Sequence, residues 1–458
     1  MGRLFGTDGV RGTYGHELTD DLAFGLGRAA AVVLQHREQG QLTFVVGRDT
    51  RASGEPLEDA LVEGILAAGA DVVLAGVQPT PAIAFLTTDL KAAGVVISGS
   101  HNPAEDNGIK FFGAFGYKLP DDLEDEIEQE HRRGSGTRGE RHGRLLPLGA
   151  GGRDYLDHLE AAAEAPLTGM RVVVDCANGA AHALAPEALR RLGAEVFPIF
   201  DEPDGTNINA GCGALHPDVV AEAVRAAGAD AGIAHDGDAD RALFADAEGN
   251  VIDGDQVLAA CALAAKEEGS LEANTVVTTV MANLGFHKAM GAAGIRVVAT
   301  KVGDRYVLEE MLSSGAVLGG EQSGHIIFRR YATTGDGLLT AIRFLSLAAK
   351  RGCSVAELAS TMRRFPQVVE NVRVAHREKL EGASEVWNAV RAAETELGDS
   401  GRVLVRASGT EPLVRVMVEA ESEEEARRLA DALAERVRAA LAGRRSRGRR
   451  RHGPVARA

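Results

Sequence analysis

The 458-residue chain is long enough for three or four domains, and with 55 glycines and only 4% aromatic residues its cores must be packed mainly by Val, Leu, Ile and Ala. Its net charge is −16, and the seven arginines between 444 and 458 leave −23 for the rest, which argues against nucleic acid as the main ligand of the folded body. No apolar run approaches the roughly 18 residues of a membrane span, and Met1-Gly2-Arg3 opens no signal-peptide pattern, so a soluble, cytoplasmic chain without membrane contact is expected.

Residues 1–12 open with Phe5-Gly6-Thr7-Asp8-Gly9-Val10-Arg11-Gly12, which reads as a glycine-punctuated loop. A helix follows from about Asp20 to Gln35, then the strand Thr43–Gly47, a helix ending in Ala-Gly-Ala, the strand Asp71–Leu74, and an apolar strand that runs through Val95-Val96-Ile97 and stops at Ser98-Gly99-Ser100-His101-Asn102-Pro103. An acidic helix (Asp121 to Glu130) and a Gly- and Arg-rich linker near 134–152 close this part. The theme then recurs twice. Strand Arg171–Asp175 leads to Ala231–Ala234 and the loop His235-Asp236-Gly237-Asp238-Ala239-Asp240-Arg241; strand Thr275–Val277 leads to Val317-Leu318 and the loop Gly319-Gly320-Glu321-Gln322-Ser323-Gly324-His325. Periods this long indicate duplicated α/β domains rather than a solenoid. Beyond Phe365-Pro366-Gln367, strands Asn371–Ala375, Arg402–Arg406 and Leu413–Glu419 precede a long helix from Ser422 to Leu441, with Ser422 and Glu425 as a capping box. The four cysteines, Cys176, Cys212, Cys261 and Cys353, lie far apart without a CxxC pair and read as buried thiols.

Chemistry concentrates in the strand-end loops. Ser100 delivers a hydroxyl to the carboxyl end of a strand, where open α/β sheets bind ligands; on the residues alone it is either a nucleophile or a capping serine in a turn. Asp236, Asp238 and Asp240 alternate with small residues, which lets three carboxylates converge on one hard cation such as Mg²⁺, although Asp-Gly is also a hairpin signal. Glu321, Ser323 and His325 supply an acceptor, a hydroxyl and a titratable ring suited to sugar hydroxyls, with His325 also readable as a structural histidine. Arg406-Ala407-Ser408-Gly409-Thr410-Glu411-Pro412, with Arg415 on the strand beyond, offers a phosphate nest or an ordinary capped turn. Together these loops fit phosphoryl transfer on a substrate that carries a second phosphate.

In the order serine loop, aspartate loop, Gly320–His325 loop and Arg406–Pro412 loop, the chain resembles the α-D-phosphohexomutases over nearly its whole length, the basic tail excepted. The opening Gly6–Gly12, the Glu-Gln-Ser-Gly-His form and the Ser-Gly-Thr-Glu-Pro form are similar to the amino-sugar members of that family. The basic tail (444–458), outside the resemblance, reads from its composition as disordered. The resemblance implies an α/β fold of four domains around a central cleft: three related α/β domains with mixed sheets (1–150, 151–253 and 254–366) and a smaller α+β domain (367–443). It implies that Ser100 is phosphorylated for activity, that one Mg²⁺ is held by Ser100, Asp236, Asp238 and Asp240, and that glucosamine 6-phosphate and glucosamine 1-phosphate interconvert through a hexose 1,6-bisphosphate, feeding UDP-N-acetylglucosamine and cell-wall synthesis. Catalytic roles fall on Ser100, His101, Lys110, Arg11, Arg241 and His325, and substrate contacts on Glu321, Ser323, Arg406, Ser408, Gly409, Thr410 and Arg415. Ala239 and Gly99 are mild departures from the family pattern, and Asp304, where some relatives carry histidine, receives no role. Its expected partner is a small phosphosugar, with no nucleic acid or membrane, in a monomer or homodimer. Gln322 and the form of the phosphate loop favour the amino sugar over glucose or mannose phosphates; a metal-dependent phosphatase using Ser100 and a non-catalytic binding protein are the more distant readings.

Overall fold

The functional loops occupy one recurring place in the topology, and the strands explain it. The computed structural model describes residues 3–6, 8–38, 42–134, 142–149, 151–408 and 412–441. The chain divides into two units, Met1–Ala282 with Phe286–Met362, and Asn283–Gly285 with Arg363–Ala458. The arginine-rich tail and the loop residues Gly409 and Thr410 lie outside the described residues.

In the first unit, β1 (Val10–Thr13), β2 (Thr43–Arg48), β3 (Asp71–Val77), β4 (Ala93–Ile97), β5 (Asp106–Phe112) and β6 (Leu145–Leu146) form a mixed sheet in the order β1-β5-β4-β2-β3-β6. Its middle strands are parallel and covered on both faces, which is why β2 and β4 read as continuous apolar runs. Alternation still sorts the side chains: Val95 and Ile97 enter one core with Phe44 and Val46, and Val96 enters another with Val45 and Val73. The glycine-rich opening is not wholly a loop. Val10–Thr13 is a strand because β5 offers it an antiparallel partner, Arg11 opposite Gly108, while Val10 is buried.

A second sheet, β7 (Arg171–Asp175), β8 (Glu195–Ile199), β9 (Ala231–His235), β10 (Ala242–Asp246) and β11 (Val251–Ile252), runs β11-β10-β9-β7-β8. A third, β12 (Thr275–Thr279), β13 (Arg296–Thr300), β14 (Leu318–Gly320) and β15 (Ile326–Phe328), runs β13-β12-β14-β15. In all three sheets a strand that is parallel to one neighbour turns back into an antiparallel one: β4 into β5, β9 into β10, β14 into β15. The serine, aspartate and Glu321 loops are those three reversals. The hairpin reading of the aspartate loop therefore holds, and a hairpin does not prevent its three carboxylates from converging.

The second unit holds an antiparallel sheet of β16 (Gln367–Arg373), β17 (Arg402–Ala407) and β18 (Leu413–Glu419), in the order β16-β18-β17, packed on the helices Ser384–Leu397 and Glu423–Leu441. β16 starts four residues before the expected strand and ends at Arg373, because its register with β18 runs from Gln367 opposite Glu419 to Arg373 opposite Leu413. The Glu425 N–H donates to Ser422 Oγ at 3.2 Å, the half of the expected capping box that caps the last helix. Cys176, Cys212 and Cys261 are buried free thiols, whereas Cys353 is only half-buried. Among the described residues no helix is long and apolar enough to cross a membrane.

Candidate active site

In the first unit a cavity of about 420 Å³ is lined by Asp8, Arg11, Ser100, His101, Asp240, Arg241, Asp304, Glu321 and His325, among others. All three reversals contribute to it. Ser100, 1% exposed, adopts a left-handed backbone (φ +51°) and donates from Oγ to Asp236 Oδ2 at 3.0 Å, while His101 Nδ1 stands 3.4 Å from the same oxygen. Arg11 donates to Gly99 O at 3.3 Å and pairs with Asp8. Glu321 accepts the Gly303 N–H at 3.1 Å, and Ser323 is half-buried on the same loop. Gln322 is not among the residues lining this cavity: its amide donates to Asp253 Oδ2 at 3.3 Å, so it anchors the loop to the start of the helix Gly254–Glu267.

Asp236, Asp238 and Asp240 are all buried, and each offers an oxygen within 4.8 Å of the others'. One oxygen of each, Oδ1, is buried without a hydrogen-bond partner. Burial, together with Asp240 and Asp238, pushes Asp236 up to about 8. Asp240 goes the other way: burial opposes its charge, but a hydrogen bond from His325 and the charges of Lys110 and Arg241 hold it below the ordinary carboxylate range. Arg241 Nε lies 3.7 Å from both Asp236 and Asp240. Lys110, 1% exposed, is bound by Asp238 at 2.9 Å and Asp8 at 3.1 Å, which keep it charged against the cost of burial. Thr80 Oγ1 fixes Asp238 at 2.7 Å. Burial lowers His101 to about 4, helped by Arg241 and Arg11, so its ring is neutral at pH 7. For His325, burial opposes a charge and Asp240, 3.5 Å from Nδ1, favours one with a net upward direction; the Gly335 N–H, however, donates to Nε2 at 3.1 Å. A ring accepting there carries its proton on Nδ1, and the geometry assigns the neutral ring.

In the second unit, Arg406 and Arg415 face each other in the β17–β18 register. Burial and then Arg415 lower the pKa of Arg406, the mark of two cations held side by side. Ser408 is buried at the end of β17, its N–H bonded to Leu413 O at 2.9 Å and its carbonyl to Arg377.

Four family models match the chain in order: phosphoglucomutase/phosphomannomutase alpha/beta/alpha domain I over 2–137, domain II over 153–249, domain III over 253–365, and the C-terminal domain over 370–436. The chain belongs to the phosphoglucomutase/phosphomannomutase family. It is 55% identical to a phosphoglucosamine mutase of Desulforudis audaxviator over 428 residues, covering 92% of this chain and 95% of the relative. It is likewise 55% identical to that of Saccharopolyspora erythraea over 442 residues, covering 96% and 100%. A crystal structure of a family protein from Burkholderia thailandensis superposes with a TM-score of 0.81 at 27% identity, covering 96% of this chain and 97% of that one. The Aspergillus fumigatus N-acetylphosphoglucosamine mutase, solved in complex with GlcNAc-6P and magnesium, shares the fold with a TM-score of 0.68 at 20% identity, covering 96% of both chains.

In this member of the family the aspartate loop fits a hard divalent cation on its own terms: three buried carboxylates, three orphaned oxygens, and a mutual repulsion that raises Asp236 and that a cation would relieve. Beside the cavity stand groups that no sequence motif announced. Lys118 is gripped between Asp8 and Asp304, raised by both against its burial, and Asp304, which has no role in the sequence reading, lines the cavity. The signal available for Asp8 was its place in Gly6-Thr7-Asp8-Gly9; for Lys118 and Asp304, 186 residues apart, there was none.

Proposed function

We infer that this chain interconverts glucosamine 6-phosphate and glucosamine 1-phosphate. Ser100, in its phosphorylated form, gives its phosphoryl group to the 1-hydroxyl of glucosamine 6-phosphate, so that the Oγ–P bond breaks, a C1–O–P bond forms and the hydroxyl proton leaves. The resulting 1,6-bisphosphate then returns its 6-phosphoryl group to Ser100 Oγ and departs as glucosamine 1-phosphate, which makes the chain a supplier of amino-sugar 1-phosphate for nucleotide-sugar synthesis. The observation that carries this reading is the hydroxyl of a buried serine directed at Asp236 inside a cavity that also presents Arg11, Arg241 and Glu321. The sugar comes from relatives named phosphoglucosamine mutase that match nearly the full chain at 55% identity.

His101, neutral and 3.4 Å from Ser100 Oγ, is placed to move that oxygen's proton. Arg11 and Arg241 face the charge on the transferring group, and Glu321 with Ser323 takes sugar hydroxyls. Lys110 and His325, each held at its nitrogens by neighbours, are assigned to fixing Asp238 and Asp240 in place. Asp236, Asp238 and Asp240, with Ser100, would hold one Mg²⁺, which when bound supplies charge stabilisation to the phosphoryl oxygens. From the second unit, Arg406, Ser408 and Arg415, with Gly409 and Thr410, are assigned to the phosphate that is not transferred. The division at residues 150, 253 and 366 gives each α/β domain one of the three reversals.

Turnover of glucosamine, glucose and mannose 6-phosphates, measured side by side with Mg²⁺ and a trace of bisphosphate, tests the reading. It expects the amino sugar to lead; a clear lead for mannose would sink the substrate, and steady release of inorganic phosphate without isomer would sink the mutase.

A further inference from the structure

Behind the nucleophile, two side chains from different domains of the first unit close on the same pair of carbonyls. Asn209, between β8 and the helix Pro217–Ala227, donates from Nδ2 to Ser100 O at 2.9 Å and to Asn102 O at 3.0 Å. Arg51 Nη2 donates to Ser100 O at 3.1 Å and to Asn102 O at 2.6 Å. The other face of the loop is tied as firmly. The Ser100 N–H donates to Ser98 Oγ at 2.9 Å, Ser98 Oγ donates to Asp49, and Asp49 pairs with Arg51.

This many bonds meet at one of the few non-glycine residues with a left-handed backbone, φ +51° at Ser100. A residue with a Cβ occupies that region at a cost, and persists there only where its surroundings over-determine it. Asn209 also adopts a left-handed backbone, at φ +59°, a conformation asparagine tolerates, and its N–H is held by Ala177 O at 2.9 Å. The same corner reaches the aspartate loop: a Cβ on Gly237 would come within 2.5 Å of Ser100 O and 2.9 Å of Asn209 Nδ2, so only glycine lets the carboxylate loop lie against the clamped carbonyl.

We propose that Asn209 is a positioning residue for the phosphoryl-carrying serine. With Arg51 it locks Ser100 in its left-handed conformation, so that Oγ keeps one direction toward Asp236 in both half-reactions, although the two ends of the sugar phosphate present themselves in turn. The proposal rests on the reading that Ser100 carries the phosphoryl group. Released from the clamp, the residue relaxes toward negative φ and its oxygen swings out of line. Arg51 is buried in the Asp49 network and its loss would disturb the fold, whereas Asn209 is half-buried and can be changed alone.

Two substitutions separate backbone from side chain. Asn209→Gly adopts the left-handed conformation freely and removes only the two donated bonds. Asn209→Asp keeps the size and turns the donor into an acceptor facing two carbonyls. With glucosamine 6-phosphate, both are expected to lose at least tenfold in kcat with KM within twofold of wild type. Hydrogen exchange in the peptide 98–106, measured without substrate, should accelerate at least tenfold while the rest of the chain stays unchanged. Normal kcat with unchanged exchange in either variant overturns the clamp, and so does a loss of kcat matched by faster exchange throughout the chain. Wild-type protein that turns over none of the sugar phosphates would instead overturn the reading of Ser100, and the exchange measurement would still decide whether Asn209 holds the loop.

Discussion

The first unit gathers like negative charges and the second gathers like positive ones, and the contrast shows how each is prepared for an opposite partner. Asp236, Asp238 and Asp240 are buried together with Lys110, Arg241 and His325 beside them, yet the Oδ1 of each carboxylate accepts no hydrogen bond. Across β17 and β18, burial and the facing Arg415 lower the tendency of Arg406 to stay charged. Isolated clusters of either kind cost stability. Under the proposed function a divalent cation would offset the first cluster and an anionic phosphate the second. The contrast predicts that damage to the first cluster is read in kcat and damage to the second in KM.

The largest effect breaks the first region at its centre. Ser100→Ala removes one hydroxyl from a residue otherwise held through its own N–H and carbonyl by Ser98 and Arg51, so the fold should survive while turnover falls by about 10⁴-fold or more, as for other covalent nucleophiles. Residual activity within tenfold of wild type would reassign the nucleophile. Next comes removal of the cation. Chelation with EDTA should lower turnover by about 10³-fold and restoration with Mg²⁺ should recover it. Independently of activity, Mg²⁺ should raise the melting temperature of the wild type, because it relieves the repulsion among three buried carboxylates, and should fail to do so in Asp236→Asn.

How much of this was legible beforehand depends on whether a feature is local in sequence. The serine, aspartate and Glu321 loops each lie within a few consecutive residues at a strand end, so composition and order disclosed them. The alternating strand β1 was hidden because Val10 is its one large apolar residue and its partner lies near residue 109. The helix Ser384–Leu397 is legible in its own spacing: Val386, Val390, Ala393 and Leu397 recur for one buried helical face among charges. Asp8, Lys118 and Asp304, like Asp49, Arg51 and Asn209, become groups only when distant segments fold together, and no spacing in the chain encodes that. Gln322 marks the amino-sugar form of its loop, and its contact with Asp253, like those groups, belongs to the folded chain alone.

The second region gives a smaller expected effect of a different kind. Arg415→Ala should raise KM for glucosamine 6-phosphate about 10–100-fold, the loss of one charge-assisted contact of about 1.5–3 kcal/mol, with kcat within about threefold. Its Mg²⁺-dependent melting shift should match the wild type. A fall in kcat with KM unchanged would erase the distinction between the regions.

The smallest effect on turnover comes from a carboxylate of the first unit that lies outside the triad. Asp336 is 2% exposed, accepts the Tyr155 hydroxyl at 2.9 Å and the Leu339 N–H at 2.9 Å, and burial pushes it up to about 6. In the unfolded chain an aspartate titrates near 3.9. The folded protein therefore holds its proton more tightly, and the stability this confers is present below about pH 4 and lost as pH rises through 6. Asp336→Asn keeps the oxygen that caps the helix Gly337–Arg351 and offers an N–H toward Tyr155, but never ionises. Between pH 4 and 7 its unfolding free energy, measured by urea titration, should gain on the wild type by of order 1–2 kcal/mol, with turnover changed less than twofold. A difference that stays flat with pH would show that the two donated bonds fully support the charged form, and that only carboxylates gathered in the triad pay for their burial.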